Sequence, residues 1–153
     1  MRHEWVANHL AHMLDALPLV LGTAPEEALS ERPSSGKWSA REHLAHLARH
    51  HEVMLERLHR ILREQSPELQ RYIAERDADW PAWSKAGLPE ILTRLQELRT
   101  ALVREVEAIT ESDRGRVGIH SKYGAMDVTA WLVFFLLHEA HHLYIIMGQR
   151  GAA

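Results

Sequence analysis

The stretch Val128-Thr-Ala-Trp131-Leu-Val-Phe-Phe135-Leu-Leu-His138-Glu-Ala-His-His142-Leu-Tyr-Ile-Ile-Met147 decides the fold. It follows Asp127, a natural helix N-cap, and Gly148 is placed to stop it. On a helix of 3.6 residues per turn, Trp131, Phe134, Phe135 and Ile145 share one face. Leu132, Leu136, Leu143 and Met147 line the other. A helix that is apolar all round is buried on both sides. In a chain of 153 residues that implies a bundle plus a second contact, expected to be a homodimer partner. Burial under the long loops is the alternative. The longest apolar run, residues 128–137, is interrupted only by Thr129. It is far short of the ~20 residues that span a bilayer, so no membrane association is expected.

Three more helices are expected upstream. The first covers residues 4–21 and stops at Gly22, with Pro18 able to end or kink its last turn. The second covers 38–64. The third follows Pro89, a favourable first-turn residue, and reaches 111. Alternating β-branched runs bounded by turns are missing. The reading is therefore all-α, a four-helix bundle in one domain spanning residues 1–153. Segment 65–87 is a long connection, with Ser66-Pro67 as a start for a short extra helix. Segment 112–126 holds three glycines and reads as a loop.

The net charge of -3, with no basic run interleaved with aromatics, speaks against a nucleic-acid partner. There is no cysteine, which removes disulfides, thiolate metal sites and an internal thiol nucleophile. The N-terminus has no basic start followed by an apolar stretch, and a cytoplasmic setting is expected. The unusual number is twelve histidines, because histidine is the commonest metal ligand.

The strongest local signal is His138-Glu139-Ala140-His141-His142. His138 and His142, four apart on a helix, can reach one metal from one face. They share that face with Trp131, Phe135 and Ile145. The five residues also match H-E-x-x-H, the zinc-protease motif. Such proteases take a third ligand downstream, yet the eleven residues after His142 contain no His, Asp or Glu. The metzincin extension fails as well, at Ile145 and Gly148. A di-iron bundle needs two Glu-x-x-His motifs at one level. Glu56-x-x-His59 and Glu139-x-x-His142 are offset by roughly 20 Å in antiparallel helices and by ~9 Å in parallel ones.

Helix levels favour a different partner. His46 lies ~12 Å from the start of the second helix, and His142 and His138 lie ~10 and ~16 Å from the end of the fourth. In an antiparallel arrangement the three share one level. That requires parallel second and third helices joined by a long crossover, which segment 65–87 can provide. The apolar wheel is less favourable. Leu44, Leu47, Ala48, His51, Leu55, Leu58 and Leu62 define the arc, and His46 lies about 120° from its centre. His43 and His50 lie nearer the edge and His51 lies inside, so pattern alone does not choose His46.

Arg32-Pro33, Gly36-Lys37-Trp38-Ser39, Glu42 and His46-Leu47 together resemble the second-helix signature of the DinB/YfiT-like superfamily. Tyr123-Gly124, Trp131, His138-Glu139 and His142 resemble its fourth-helix signature. The resemblance covers nearly the whole chain. It implies an up-down-down-up four-helix bundle with a crossover between helices two and three. It also implies a divalent metal, zinc or nickel, held by His46, His138 and His142. It implies frequent dimers and a small-molecule substrate. Many relatives carry Gln where Ile145 stands. Characterised relatives include thiol S-transferases that use bacillithiol or mycothiol and a mycothiol-dependent isomerase; others are known only as stress-induced proteins.

Three imidazoles leave an open metal position, where an external thiol or water is activated. The expectation is a metal-dependent enzyme, a thiol S-transferase. The alternatives are a non-catalytic metal-binding or interaction protein and, after it, an HExxH metallohydrolase. Glu42 has two readings, an acceptor orienting His46 or a solvated glutamate. Glu139 lies ~100° off the ligand face, which weakens it as a base. His141 is a spare ligand or a core residue. His120 and Tyr123 are placed to line the pocket.

Overall fold

A computed structural model describes residues 2–150. The longest helix, α4 (Ala40–Arg63), starts where local chemistry closes its free N–H groups. Ser39 accepts from the Glu42 amide, and the Glu42 carboxylate accepts from the Ser39 amide, a reciprocal capping box. Arg32 completes the corner, its Nε and Nη2 reaching Glu42 at 2.9 and 2.5 Å. Glu42 is therefore buried rather than solvated, and its carboxylate is engaged by the cap. Burial alone would raise its pKa; Arg32 and Ser39 outweigh this and hold it below the ordinary value.

Before this helix lie α1 (Arg2–His12), a 3₁₀ turn (Met13–Ala16), α2 (Leu17–Leu21) and α3 (Glu26–Ser30). The break between α1 and α2 falls just ahead of Pro18, whose ring crowds the carbonyl four residues back and which has no N–H to give. After α4 come β1 (Glu68–Leu69), a 3₁₀ turn (Ala74–Arg76), α5 (Trp80–Lys85) and α6 (Leu88–Glu107). The chain ends with β2 (Val117–His120), β3 (Gly124–Asp127) and α7 (Val128–Gln149). The side chain of Asp127 accepts from the Ala130 amide as the N-cap of α7.

Residue pairs set the helix directions. His59 meets Glu105, and Arg94 meets Glu52, so α4 and α6 run parallel. His3 meets the Val106 carbonyl, and Arg99 meets that of Leu10, so α1 and α6 are antiparallel. His43 meets His142, and His46 meets His138, so α4 and α7 are antiparallel. The bundle is up-down-down-up, and residues 64–87 are the crossover.

Three expectations differ at the edges. Residues 112–126 are not an open loop, because β2 and β3 pair as an antiparallel hairpin, with β1 parallel to β2 in a three-stranded sheet. Gly124, at φ 76°, takes the left-handed position after the turn. At Gly118 a Cβ would stand 2.8 Å from Ile61 and 2.9 Å from the Trp131 indole nitrogen, so only glycine lets the hairpin lie on the bundle. Ser66-Pro67 opens no helix; Ser66 turns through φ 47° into β1. Gly148 does not stop α7, which runs to Gln149.

The core forms two clusters. One gathers Leu44, Leu47, Trp83, Ile91, Leu95 and Leu143. The other gathers Leu10, Met54, Leu58, Leu102, Trp131 and Phe135. α7 is long and apolar enough to cross a membrane, but here it is packed along the bundle, with Leu132, Leu136 and Leu143 buried. Met147 is half exposed, and Leu137 and Tyr144 are exposed.

Candidate metal centre

Antiparallel packing of α4 on α7 brings His46, His138 and His142 together, with their ligand nitrogens all within 4.8 Å of one another. His138 Nε2 lies 3.0 Å from His46 Nε2 and 3.2 Å from His142 Nε2. Ligands 2.0–2.1 Å from a tetrahedral zinc ion are about 3.3–3.4 Å apart, so a small divalent ion fits with little adjustment.

Each of these imidazoles is held neutral, as a ligand must be. Burial, reinforced by the neighbouring rings, pushes His46 down to about 3 and His142 to about 2. Burial, followed by His141, pushes His138 to about 4. His142 has a second partner, because its Nδ1 lies 2.8 Å from His43 Nδ1. Were Nε2 to hold an ion, His142 Nδ1 would carry the proton and donate to His43. The Nδ1 atoms of His46 and His138 are buried without a protein partner.

The wheel misplaced His46 because the first half of α4 is covered on more than the bundle side. Both α3 and α5 pack on it as well as α6 and α7. Residues 42–48 of the helix are all buried. Trp38 also closes on His46, with ring centroids 5.1 Å apart. His50, one turn on, is fully enclosed, its ring 4.0 Å from that of His138. It forms wall rather than a member of the three-nitrogen cluster.

The cluster opens onto a cavity of about 460 Å³. Tyr72 from the crossover and His120 and Tyr123 from the hairpin line it, as expected for the last two, and so do Phe134 and His141. His141 is exposed, which removes the core reading for it. His120 Nδ1 accepts from the amides of Lys122 and Tyr123, so its proton sits on Nε2. The same cavity is lined by Arg57 and Arg71, which sequence reasoning missed. The available signal was Arg57 interrupting the buried row Met54, Leu58, Ile61.

Glu139 is not at this centre. It is fully buried and ion-paired with Arg99 Nη2. Arg99 also donates from Nε to His51 Nε2 at 3.1 Å and from Nη1 to the Leu10 carbonyl at 2.7 Å. His51 Nδ1 donates to the Leu47 carbonyl. One network thus ties α1, α4, α6 and α7, and the glutamate of the H-E-x-x-H string belongs to it.

Fold and site together define a class: an up-down-down-up bundle built around a three-histidine cluster, His46 and His142 buried and His138 half-buried. The chain belongs to the DinB superfamily, whose family model matches residues 5–146. It is 24% identical over 143 residues, 92% of this chain and 80% of the relative, to "Putative metal-dependent hydrolase OB0413" of Oceanobacillus iheyensis. It superposes with a TM-score of 0.80, at 20% identity, on YfiT from Bacillus subtilis, covering 96% of this chain and 85% of that one. YfiT is described as a probable metal-dependent hydrolase with an unusual four-helix bundle topology. That likeness establishes the fold.

Proposed function

We propose that the protein is a metal-dependent enzyme in which His46, His138 and His142 hold one divalent ion, zinc or nickel, and activate a low-molecular-weight thiol for transfer to an electrophile. The convergence of three neutral imidazole nitrogens beside a cavity carries this reading. A bound ion supplies Lewis acidity that lets a thiol or water lose its proton near neutral pH. The chain's part is to hold and orient. His43 fixes the proton on His142 Nδ1, while Trp38 and Tyr72 shield His46 from water. In the transfer, the thiol sulfur bonds to an electrophilic carbon, the leaving group departs with its electron pair, and the thiol proton passes to water.

A water nucleophile is the second reading, favoured by the hydrolase names of the two relatives. The position of Glu139 weighs against its HExxH form, because Arg99 occupies the carboxylate that would serve as base. A thiol, being far more acidic than water, would lean less on such a base if the three histidines held an ion. A cysteine-free chain in a cytoplasmic setting is compatible with a thiol supplied from outside.

The exposed row Leu137 and Tyr144, one heptad apart on α7, supports a homodimer through that helix.

The test is elemental analysis of purified protein, followed by a screen of bacillithiol, mycothiol and glutathione against a chromogenic electrophile. The expected result is one ion per chain, lost in His46→Ala and His138→Ala, and conjugation that disappears with the ion. Metal content that survives both substitutions overturns the site. Conjugation no faster than with metal-free protein overturns the transferase reading, and ester or amide hydrolysis by the same sample then supports the water reading.

A further inference from the structure

Among the described residues two arginines are buried, Arg57 and Arg99, and a carboxylate neutralises the second, as one does the half-buried Arg49 and Arg94. Arg49 pairs with Asp77 and Glu52, Arg94 with Glu52, and Arg99 with Glu139. Arg57 differs. It is 5% exposed, yet among the described residues no carboxylate forms an ion pair with it. Among the described residues its one acceptor is the Gln70 carbonyl, 2.7 Å from Nη2, and its guanidinium lies 5.3 Å from the centre of the Trp131 ring. Glu56, next to it in sequence, is exposed and acts on it only through space. A guanidinium presents five donors in a planar fork. Burying one without an anion is costly, so the position calls for a partner that the chain does not supply.

The surroundings say where that partner sits. Arg57 and Arg71 line both the cavity in front of the three histidines and a larger groove of about 670 Å³ beside it. They therefore stand at the passage between the two. Arg71 comes from the crossover and forms no ion pair among the described residues. Among the described residues the only carboxylate lining the histidine cavity is Glu75, which is exposed. His120, with its proton fixed on Nε2, adds a neutral donor to the same wall. Two guanidinium groups against one carboxylate, with a divalent ion adding further positive charge, make this a site for an anion. The planar fork matches carboxylate and phosphate oxygens.

We propose that the substrate carries an oxyanion, a carboxylate or phosphate, that docks on Arg57 and Arg71 while its reacting end faces the histidine cluster. The inference rests on the metal reading for the placement of the reacting end only; the anionic end is tested separately.

The test is calorimetric titration of the protein, with zinc and nickel content measured in every sample. Mercaptosuccinate and uncharged thioglycerol are the paired probes, and succinate and inorganic phosphate are the thiol-free probes. Mercaptosuccinate is expected to bind at least tenfold more tightly than thioglycerol. Arg57→Gln and Arg71→Gln should each remove most of that advantage with metal content unchanged. Equal affinity for the two thiols in the wild-type protein, or an undiminished advantage in the variants, overturns the inference and leaves the metal reading intact. If Arg57→Gln does not fold, Arg71→Gln and the charge-retaining but fork-less Arg57→Lys decide. If neither zinc nor nickel is bound, the metal reading fails. Succinate or phosphate binding that weakens tenfold in the arginine variants then still supports the anion site, and binding of neither overturns it. The tighter of the two assigns the oxyanion.

Discussion

Arg99 and Glu139 face each other at the seam between the two apolar clusters, 2% and 0% exposed respectively. Arg99 stands between Leu95 and Leu102 on α6, and Glu139 between Leu136 and Leu143 on α7. Burial pushes the Glu139 carboxyl up, while Arg99 pulls it the other way. Removing one partner leaves an uncompensated buried charge. Arg99→Leu is expected to cost about 3–5 kcal/mol, and Arg99→Leu combined with Glu139→Leu should recover most of that loss. Chemical denaturation of the two variants and the wild type checks this. Equal destabilisation by the single and double changes would sink it.

His43 and His142 share the Nδ1···Nδ1 contact at 2.8 Å. Groups that orient a ligating imidazole are worth about 10–100-fold in metal affinity. His43→Ala is expected to weaken zinc binding by about that factor, as read by competition with a chromophoric chelator. A change of less than twofold would mean that the proton on His142 is held some other way.

Asp77 fastens the crossover to α4. It accepts from Arg49 Nε at 2.6 Å, from the Tyr72 hydroxyl at 2.8 Å and from the Asp79 amide at 3.0 Å. Burial alone would raise its pKa, but these donors outweigh it and hold the carboxyl below its ordinary 3.8. A depressed folded-state pKa contributes stability that is present above the unfolded value and lost as pH falls through the folded one. The melting-temperature gap between wild type and Asp77→Asn should therefore be full at pH 6 and close as the pH drops below about 4. A gap that stays constant from pH 7 to pH 3 contradicts this.

Leu137 and Tyr144 are 65% and 80% exposed on a helix that is otherwise built for burial. If α7 forms a dimer seam, Leu137→Lys with Tyr144→Lys should give a monomer in sedimentation velocity while the far-ultraviolet dichroism stays unchanged. A wild-type protein that sediments as a monomer at tens of micromolar removes the dimer.

Much of this architecture is legible in the sequence, for reasons that particular residues make plain. The antiparallel level of His46 with His138 and His142 follows from counting helical rise, and the topology follows from that level. The face of His46 was harder to read. Polarity patterns report one packing partner, whereas the start of α4 has several, two of them short helices in the connections. Arg99 is the centre of an apolar row, Ile91, Leu95, Leu102 and Val106, where a charge signals a buried counterion. That counterion, Glu139, sits inside a motif string that suggested other chemistry. The hairpin escaped notice because four-residue strands around a glycine turn carry little periodicity. Arg57 escaped because nothing in a linear pattern distinguishes a paired buried charge from an unpaired one.

The pairing of β1 with β2 links the two long connections into a single roof over the bundle. Arg71, Tyr72 and Glu75 belong to one connection, and His120 and Tyr123 to the other, whereas the three clustered histidines all sit on α4 and α7. The clustered histidines and most of the cavity's outer wall are thus written in separate parts of the chain, Arg57 of α4 being shared by both. Mutation can revise the roof, residue by residue or by changing loop length, and leave the histidine cluster untouched. Descendants of such a scaffold can diverge in diet while sharing one hearth.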